Sequence, residues 1–410
     1  MDQIAEFYVV FVGCGVNRLV AFGLAAFWGI QSALVGPARA AESNSPGVTK
    51  DSVVIGSCCV LSGPTAKLGS QQLVGANAYI NEINSKGGIL GRTIKLKGYD
   101  DKYEAASAPK CFQQALSDNC FAGAFFVGSM PAKAYIPLIE RNSFPVIGFL
   151  TGAEVLTKPL HSHVFAVRST YRDELAAVID GLWKDLGAKK VAIISQSESS
   201  IPPDVLAALA AHKATPVVMS KFPHNTLDVD DAIATARAAK PDVVVLCGPY
   251  LPLAEIVKRS HAKGWFPQFI TPSFVGTEEF IEAAGKDAEG TVISQVLPPY
   301  NRDDLSTVSL YKRLLQKYYP KEKPNFTSFE GFVDAMVLCH GLQAAGKNLT
   351  RASFVSALES IHDKDMGLGS KFKLTFNSKR HQGFDSVFTT VVRGGQPIAF
   401  FNWKLLGTSQ

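Results

Sequence analysis

The chain has 410 residues, of which 47% are hydrophobic and 19% are charged, and its formal net charge is +5. This length and apolar content are enough for two globular domains, each with its own buried core. Because the net charge is small for the length and the basic residues are scattered, the charge gives no case for a nucleic-acid partner.

The first forty residues have the pattern of a secretory signal. Arg18 precedes an apolar run over residues 19–35, and Ala38, Arg39 and Ala40 form a small-residue cleavage site. We therefore predict a signal peptide over residues 1–40, followed by a polar linker over residues 41–50. A retained membrane anchor is the alternative, because the apolar run approaches the length that spans a bilayer.

Export makes disulfides possible in the mature chain. Cys111 and Cys120 are the nearest plausible pair, since they would join a helix to the next strand, and free buried thiols are the alternative. No C-x-x-C motif occurs and no cysteine has metal-ligand spacing with a histidine, so we predict no metal and no cofactor. The mature chain contains Cys58, Cys59, Cys111, Cys120, Cys247 and Cys339.

Strands and helices alternate from residue 51 onward. The alternation predicts parallel sheets with helices on both faces. The first set has strands at 53–60, 93–99, 121–127 and 145–149 and helices at 65–85, 105–117 and 132–141. After an extended segment at 164–169, the second set has helices at 171–186, 203–212, 229–239 and 253–263 and strands at 190–195, 215–221, 242–247 and 269–271.

The pattern predicts an α/β fold of two lobes, each a parallel sheet flanked by helices, with a hinge around Arg168. Beyond Ser273 a helix at 278–284 and a strand at 290–296 precede a run of helices and a tail of antiparallel strands. We expect the late helices to complete the first lobe and the terminal strands to complete the second. The predicted lobes are residues 51–168 plus 298–362 and residues 169–297 plus 363–410. The late helices cover 305–319, 328–345 and 351–361, and the tail strands cover 371–376, 386–393 and 397–403.

Small residues that form hydrogen bonds follow two strand ends of the first lobe. Gly128 and Ser129 join one strand to a helix, and Leu150, Thr151 and Gly152 follow the next strand. Ligands collect at the carboxyl ends of parallel strands, and a helix N-terminus there favours an anion. We therefore predict that Ser129 holds a carboxylate; the alternative is that Ser129 only caps its own helix.

The sequence contains no recognisable catalytic constellation. It has no G-x-S-x-G, Walker A or H-E-x-x-H motif, and no G-x-G-x-x-G follows a strand. Asp100 and Asp101 form a carboxylate pair, but capping or polar contacts between the lobes explain them equally well. An enzyme is therefore disfavoured.

Several runs of the sequence are similar to one known family. The run VIGSCCVLSGPTAKLGSQQLVGANAYINEINSKGGILGRTIKLKGYDD resembles the amino-terminal signature of the leucine-isoleucine-valine-binding family, the type I periplasmic solute-binding proteins of ABC importers. The runs FFVGSMPA, PVIGFLTGA, VFAVRSTYRDE, ITPSFVG and SFEGF keep the order and spacing of this family. The resemblance implies three crossings between the lobes, a periplasmic location and delivery of a ligand to an ABC permease in the inner membrane. We expect a monomer; a ligand-sensing subunit of a separate receptor system is the alternative.

The resemblance also assigns roles to individual residues. The family's carboxylate-binding turn falls on Gly128 and Ser129, and its second carboxylate and amine contact falls on Leu150, Thr151 and Gly152. The prediction adds Met130, which follows the same strand as Ser129.

One family position differs in a way that bears on the ligand. The family's stacking aromatics fall on Leu68 and Ser200, and its acid that pairs with a ligand ammonium falls on Ser273. A buried ammonium without a carboxylate would cost several kcal/mol. Either another acid such as Asp100 or Asp101 substitutes, or the ligand has no ammonium.

We therefore predict a carboxylate ligand with an apolar or aromatic body in preference to a free α-amino acid. Closure of the two lobes over this ligand would supply affinity and specificity. For the side chains expected to line the apolar part, core packing is the alternative. These side chains are Leu68, Tyr171, Tyr250 and Phe274.

Overall fold

The computed structural model describes residues 45–404, so the predicted signal peptide and the first part of the predicted linker lie outside the described residues. Within residues 45–404, no helix combines the length and the apolar character needed to cross a membrane.

Fourteen strands and eleven α-helices make up the described chain. The strands are β1 (Ser52–Cys59), β2 (Thr93–Asp100), β3 (Ala122–Val127), β4 (Val146–Leu150), β5 (Val164–Phe165), β6 (Val191–Gln196), β7 (Val218–Phe222), β8 (Val243–Cys247), β9 (Gln268–Thr271), β10 (Val292–Gln295), β11 (Lys364–Asp365), β12 (Lys373–Leu374), β13 (Phe388–Arg393) and β14 (Gln396–Ala399). The helices are α1 (Ala66–Ser85), α2 (Ala108–Ser117), α3 (Ser129–Arg141), α4 (Tyr171–Gly181), α5 (Pro202–Ala211), α6 (Asp230–Ala238), α7 (Tyr250–Ala262), α8 (Thr277–Ala284), α9 (Ser306–Tyr318), α10 (Phe326–Ala345) and α11 (Arg351–Glu359).

The first sheet has five parallel strands in the order β2-β1-β3-β4-β5. Every residue of β3 and β4 is buried, as expected for central parallel strands that are covered on both faces. Val127 at the end of β3 pairs with Leu150 at the end of β4. This register makes the chain leave the sheet at two adjacent points, one at Gly128 and one at Thr151.

The second sheet has seven strands in the order β14-β13-β10-β9-β8-β6-β7. Its five strands from β6 to β10 pair in parallel, and β13 and β14 add an antiparallel edge. The chain crosses between the two sheets three times, at residues 166–170, 296–305 and 385–387. The predicted class, a two-lobed α/β fold with parallel sheets, is therefore confirmed.

Helices α9 and α10 lie against α1 of the first lobe, and α11 lies against α10. Gly75 of α1 and Gly331 of α10 allow the closest approach of these two helices. A Cβ atom on Gly75 would lie 1.7 Å from the carbonyl oxygen of Ser328, and one on Gly331 would lie 2.0 Å from that of Gln72. Any larger residue at these two positions would push α1 and α10 apart.

The segment that contains β11 and β12 packs on the first lobe, although the sequence analysis expected it in the second. The ring of Phe376 lies 5.4 Å from that of Phe165, and the Gly383 N–H donates to the Ala166 carbonyl oxygen at 2.8 Å. The physical reason is apolar burial, because Phe372, Leu374, Phe376 and Phe384 belong to the core cluster around the first sheet. These contacts favour a lobe boundary near residue 385 instead of 363.

The six cysteines among residues 45–404 are buried free thiols. The suggested bond between Cys111 and Cys120 is therefore not formed. Cys111 lies beside Cys58, and the Cys120 sulfur lies 3.5 Å from the hydroxyl of Tyr99.

One apolar cluster extends across both lobes. It contains the core of the second sheet together with Leu68, Tyr103, Val127 and Leu150 of the first lobe. The two lobes are therefore closed on each other in this structure.

Candidate functional site

Three hydroxyl groups meet where β3 and β4 end. The Ser129 hydroxyl oxygen lies 2.7 Å from that of Thr151, which lies 3.0 Å from the hydroxyl of Tyr171. All three side chains are buried. Ser129 begins α3, Thr151 follows β4, and Tyr171 begins α4 after the first crossing. We call Ser129, Thr151 and Tyr171 the hydroxyl cluster.

The turn before α3 requires a glycine. Gly128 has φ +90° and lies directly before the helix. A Cβ atom at this position would lie 2.2 Å from a ring carbon of Tyr103. Gly128 occupies the N-cap position, Ser129 is the first residue of α3, and the Ser129 hydroxyl contacts Thr151, so Ser129 is not the N-cap of its helix. The hydroxyl cluster therefore lies at a helix N-terminus, where backbone N–H groups lack intrahelical partners.

Gly152 has a structural role beside this cluster. Its carbonyl oxygen accepts a hydrogen bond from the Tyr171 N–H at 2.8 Å. A Cβ atom on Gly152 would lie 2.7 Å from that same nitrogen. Glycine is therefore what lets the end of β4 approach the start of α4 and brings Tyr171 to Thr151.

A small cavity lies between the lobes, and Leu150 at the end of β4 is one of the residues that line it. Its volume is about 10 Å³, which is room for a single water molecule. Pockets that hold small ligands usually measure about 300–1,000 Å³. The closed structure therefore has no ligand-sized space at this point. The lining residues are Leu68, Leu150, Ser273, Phe274, Gln295, Val296, Leu297, Phe326, Thr327 and Glu330.

Aromatic side chains fill the cleft beside the hydroxyl cluster. The ring of Phe274 lies 6.0 Å from that of Tyr103 and 6.4 Å from that of Tyr171. Tyr103 also stacks on His224 of the second lobe at 5.1 Å. Tyr250 is buried in the same apolar cluster. The sequence analysis missed Tyr103 and His224, although each lies shortly after a strand end, the signal that identified Ser129.

Two predicted residues are not joined to the others. Ser200 lies after β6, and its hydroxyl oxygen is buried without a hydrogen-bond partner in the described part of the chain. Met130 is buried in the first turn of α3. Neither residue lines the small cavity.

A buried ion-pair network occupies the first crossing, and we call it the ionic cluster. The guanidinium of Arg168 lies 2.8 Å from the carboxylate of Glu174 in the second lobe and 3.1 Å from that of Glu330 in the first. The Ser273 N–H donates to Glu174 at 2.8 Å, and the Ser273 hydroxyl contacts Arg168. Ser273, to which the resemblance assigns the position of the ammonium-binding acid, therefore contacts an internal ion pair.

The ionic cluster contains more acids than bases. Burial disfavours charge on Arg168, but the carboxylates of Glu330 and Glu174 outweigh burial and raise the Arg168 pKa above its usual value. Burial raises the pKa of Glu330 to about 7. Burial, followed by the charge of Glu330, raises the pKa of Asp334 well above its usual value. The sequence analysis missed this cluster, because no motif spacing connects residue 168 with residue 330.

The two aspartates at the end of β2 hold the following loop. Asp100 accepts from the N–H groups of Leu61 and Lys102, both at 2.9 Å. Asp101 is buried and accepts from the N–H of Tyr103 and the hydroxyl of Tyr135, both at 2.9 Å. Both therefore have the capping role that the sequence analysis gave as the alternative, and the acid that lines the small cavity is Glu330.

A larger cavity of about 600 Å³ lies between α1, α8 and the loop before α10, and side chains of both charges line it. Among residues 45–404, no group of three or more histidine, cysteine, aspartate or glutamate side chains is arranged to hold a metal ion.

Comparisons with known proteins agree with this architecture. A solved structure of a possible leucine/isoleucine/valine-binding protein from Rhodopirellula baltica is 27% identical, with a TM-score of 0.82, and covers 87% of this chain and 98% of its own. The Leu/Ile/Val-binding protein of Escherichia coli K12 is 22% identical over 251 residues, which are 60% of this chain and 67% of that protein. A fatty acid ABC transporter substrate-binding protein from Thermomonospora curvata is 22% identical, with a TM-score of 0.77, and covers 90% of this chain and 96% of its own.

The sequence pattern of the periplasmic binding protein family matches residues 52–396, which include the first sheet, the second sheet up to the start of β14, and all three crossings. The chain therefore belongs to the periplasmic binding protein family, whose members bind solutes and are not enzymes.

Proposed function

We propose that the protein is exported to the periplasm, captures a small acid by closure of its two lobes and delivers it to an ABC permease in the inner membrane. The ligand class is a carboxylate with an apolar body: an aromatic or aliphatic acid, or a branched-chain amino acid. The observation that carries the proposal is the hydroxyl cluster at the N-terminus of α3, inside the cleft between the lobes.

This arrangement suits the carboxylate end of a ligand. The hydroxyls of Ser129 and Thr151 each donate one hydrogen bond, and the first N–H groups of α3 add further donors. The positive end of the helix dipole favours a negative charge at the same point. Because the hydroxyls are neutral and bond to one another in the closed structure, they can turn towards a ligand without leaving a charge unpaired.

The apolar body of the ligand would lie among the aromatic side chains of the cleft. Leu68, Tyr171, Tyr250 and Phe274 are all buried in the apolar cluster that joins the lobes. The names of the relatives are consistent with this class, since one binds leucine, isoleucine and valine and another serves fatty acid transport.

Ser273 supplies no carboxylate for a ligand ammonium, and its side chain and N–H are engaged with Arg168 and Glu174. The guanidinium of Arg168 already contacts Ser273, so a ligand ammonium there would meet a cation. The nearby carboxylates of Glu174 and Glu330 are bound to that same guanidinium. We therefore rank amine-free acids above α-amino acids as ligands.

Capture requires the lobes to separate first. The space of about 10 Å³ is far smaller than any ligand of this class. We infer that the ligand enters an open form and that the lobes then close around it, as in hinge-closing proteins generally.

Titration calorimetry of the mature protein tests this proposal. The panel contains isovalerate, phenylacetate, leucine and phenylalanine, and we expect at least one acid to bind. Ser129→Ala should weaken that binding about tenfold or more, because a hydrogen bond to a charged group contributes roughly 1.5–3 kcal/mol.

Ser85→Ala, at the exposed C-terminal end of α1, is the matched control and should bind as the wild type does. Unchanged affinity in Ser129→Ala would contradict the proposed carboxylate site. Tight leucine binding without a response to either amine-free acid would contradict the ranking of ligands.

A further inference from the structure

We propose that Tyr103 sets the largest ligand that the cleft accepts, an inference that rests on the proposed function. Tyr103 lies in the loop between β2 and α2, at the carboxyl end of the first sheet. Its side chain is 4% exposed and belongs to the apolar cluster that both lobes share. The Tyr103 ring is therefore held by packing within this cluster and not by contacts at the protein surface.

The ring of Tyr103 covers the turn that leads to the hydroxyl cluster. It lies so close to Gly128 that a Cβ atom there would be 2.2 Å from one ring carbon and 2.8 Å from another. Ser129 follows Gly128 directly. An acid held by the Ser129 and Thr151 hydroxyls would therefore have the Tyr103 ring as an immediate neighbour.

The second lobe closes on the same ring. His224 stacks on it at 5.1 Å, with an angle of 29° between the planes, and Phe274 lies at 6.0 Å. The His224 Nε2 atom also lies 3.1 Å from the Tyr103 carbonyl oxygen. The ring thus fills space between the lobes beside the proposed carboxylate site.

The ring stays with the first lobe when the lobes separate, because its backbone is fixed there. The N–H groups of Lys102 and Tyr103 donate to Asp100 and Asp101, both at 2.9 Å, and Tyr135 donates to the other oxygen of Asp101 at 2.9 Å. Lys102 and Tyr103 have φ +58° and +62°, a left-handed backbone that residues other than glycine rarely adopt. The aspartate bonds hold this conformation and so hold the ring over Gly128.

The size limit follows from this fixed position. We expect the opened cleft to accommodate a short aliphatic acid beside the ring, and an aryl acid in the same orientation to overlap it. Tyr103 would therefore limit the size of the apolar end of the ligand and leave the contacts of its carboxylate unchanged. Removal of the ring should enlarge the site by about the size of one aromatic group.

The test is calorimetry with two pairs of acids that differ in size, isovalerate with phenylacetate and leucine with phenylalanine. We expect the wild type to bind the smaller acid of a pair at least tenfold more tightly than the larger. Tyr103→Gly should reduce this ratio at least fivefold, and glycine adopts the left-handed backbone without strain. Tyr103→Phe keeps the ring and should keep the ratio.

His224→Ala separates the ring from its partner in the second lobe and should keep the ratio too. If Tyr103→Gly keeps the wild-type ratio of affinities for the smaller and the larger acid, this inference alone is overturned. Equal affinity of the wild type for acids of both sizes would also overturn it alone. A ratio lost equally in His224→Ala and Tyr103→Gly would also overturn it, because stacking across the cleft would then set the limit. No binding of any of the four acids by the wild type or Tyr103→Gly would overturn the proposed function as well.

Discussion

The hydroxyl cluster and the ionic cluster are two buried polar regions of one cleft, and they differ in charge. The hydroxyl cluster of Ser129, Thr151 and Tyr171 is neutral, and its members are held by hydrogen bonds of 2.7 and 3.0 Å. The ionic cluster around Arg168 pairs one cation with carboxylates from both lobes. Neutral hydroxyls exchange partners at little cost, whereas a buried charge that loses its partner is expensive.

This difference indicates a division of roles within the cleft. The hydroxyl cluster is suited to accept a ligand and release it again. The ionic cluster is suited to fix the first crossing, because Arg168 lies within residues 166–170 and joins Glu330 of the first lobe to Glu174 of the second. Removing a charge from the ionic cluster should therefore lower the stability of the protein. Removing a hydroxyl from the hydroxyl cluster should weaken ligand binding.

The largest expected effect on stability comes from the ionic cluster. Arg168→Met leaves two buried carboxylates without their cation and should lower the free energy of unfolding by about 3–5 kcal/mol. Urea denaturation near pH 8 measures this change. Arg172→Met is the matched control, because the Arg172 side chain is 45% exposed and should contribute less than about 1 kcal/mol. Equal losses in the two variants would show that Arg168 has no special part in the fold.

The second prediction concerns the pH dependence of stability. Glu330 has a folded pKa of about 7, above the value of about 4.3 expected when unfolded. Between these values the folded state binds more protons than the unfolded state, so the unfolding free energy falls as pH rises from about 5 to 8. We expect a fall on the order of 1–3 kcal/mol, measured by urea denaturation across this range.

Glu330→Gln removes the titrating group and leaves Arg168 paired with Glu174 alone. Its unfolding free energy should therefore depend less on pH than that of the wild type. Glu322→Gln, in the partly exposed loop before α10, is the control and should follow the wild-type curve. A wild-type unfolding free energy that rises from pH 5 to pH 8 would contradict a raised pKa of Glu330 in the folded state.

The sequence predicted the regions that depend on local pattern. The order of strands and helices follows from the alternation of apolar runs and turns, and the same alternation places Ser129 and Thr151 after neighbouring strands. Apolar periodicity gives no information about which core a strand joins, so the sequence alone does not place the tail around Phe376 on the first lobe. Burial against Phe165 decides its place, and the two residues are 211 positions apart in the chain.

The parts that the sequence could not predict depend on distant pairs and on unusual backbone. Nothing in the spacing of residues 168, 174 and 330 indicates a shared ion pair, because Glu330 lies 162 positions beyond Arg168 in the chain. Tyr103 lies in the cleft because two consecutive residues adopt a left-handed backbone, which propensity rules disfavour for Lys and Tyr. The acids that hold this loop were visible in the sequence, but their bonds to Lys102 and Tyr103 were not.

The smallest expected effect comes from an ion pair that joins the lobes at the surface. The Lys67 ammonium of α1 lies 2.6 Å from the Glu282 carboxylate of α8, closer than Arg168 lies to either of its partners. The two side chains are 49% and 71% exposed, so water and salt screen the attraction. Lys67→Met should therefore change the free energy of unfolding by less than about 0.5 kcal/mol in the same urea assay. A loss above about 1 kcal/mol would mean that distance, and not burial, governs how strongly charge pairs stabilise this protein.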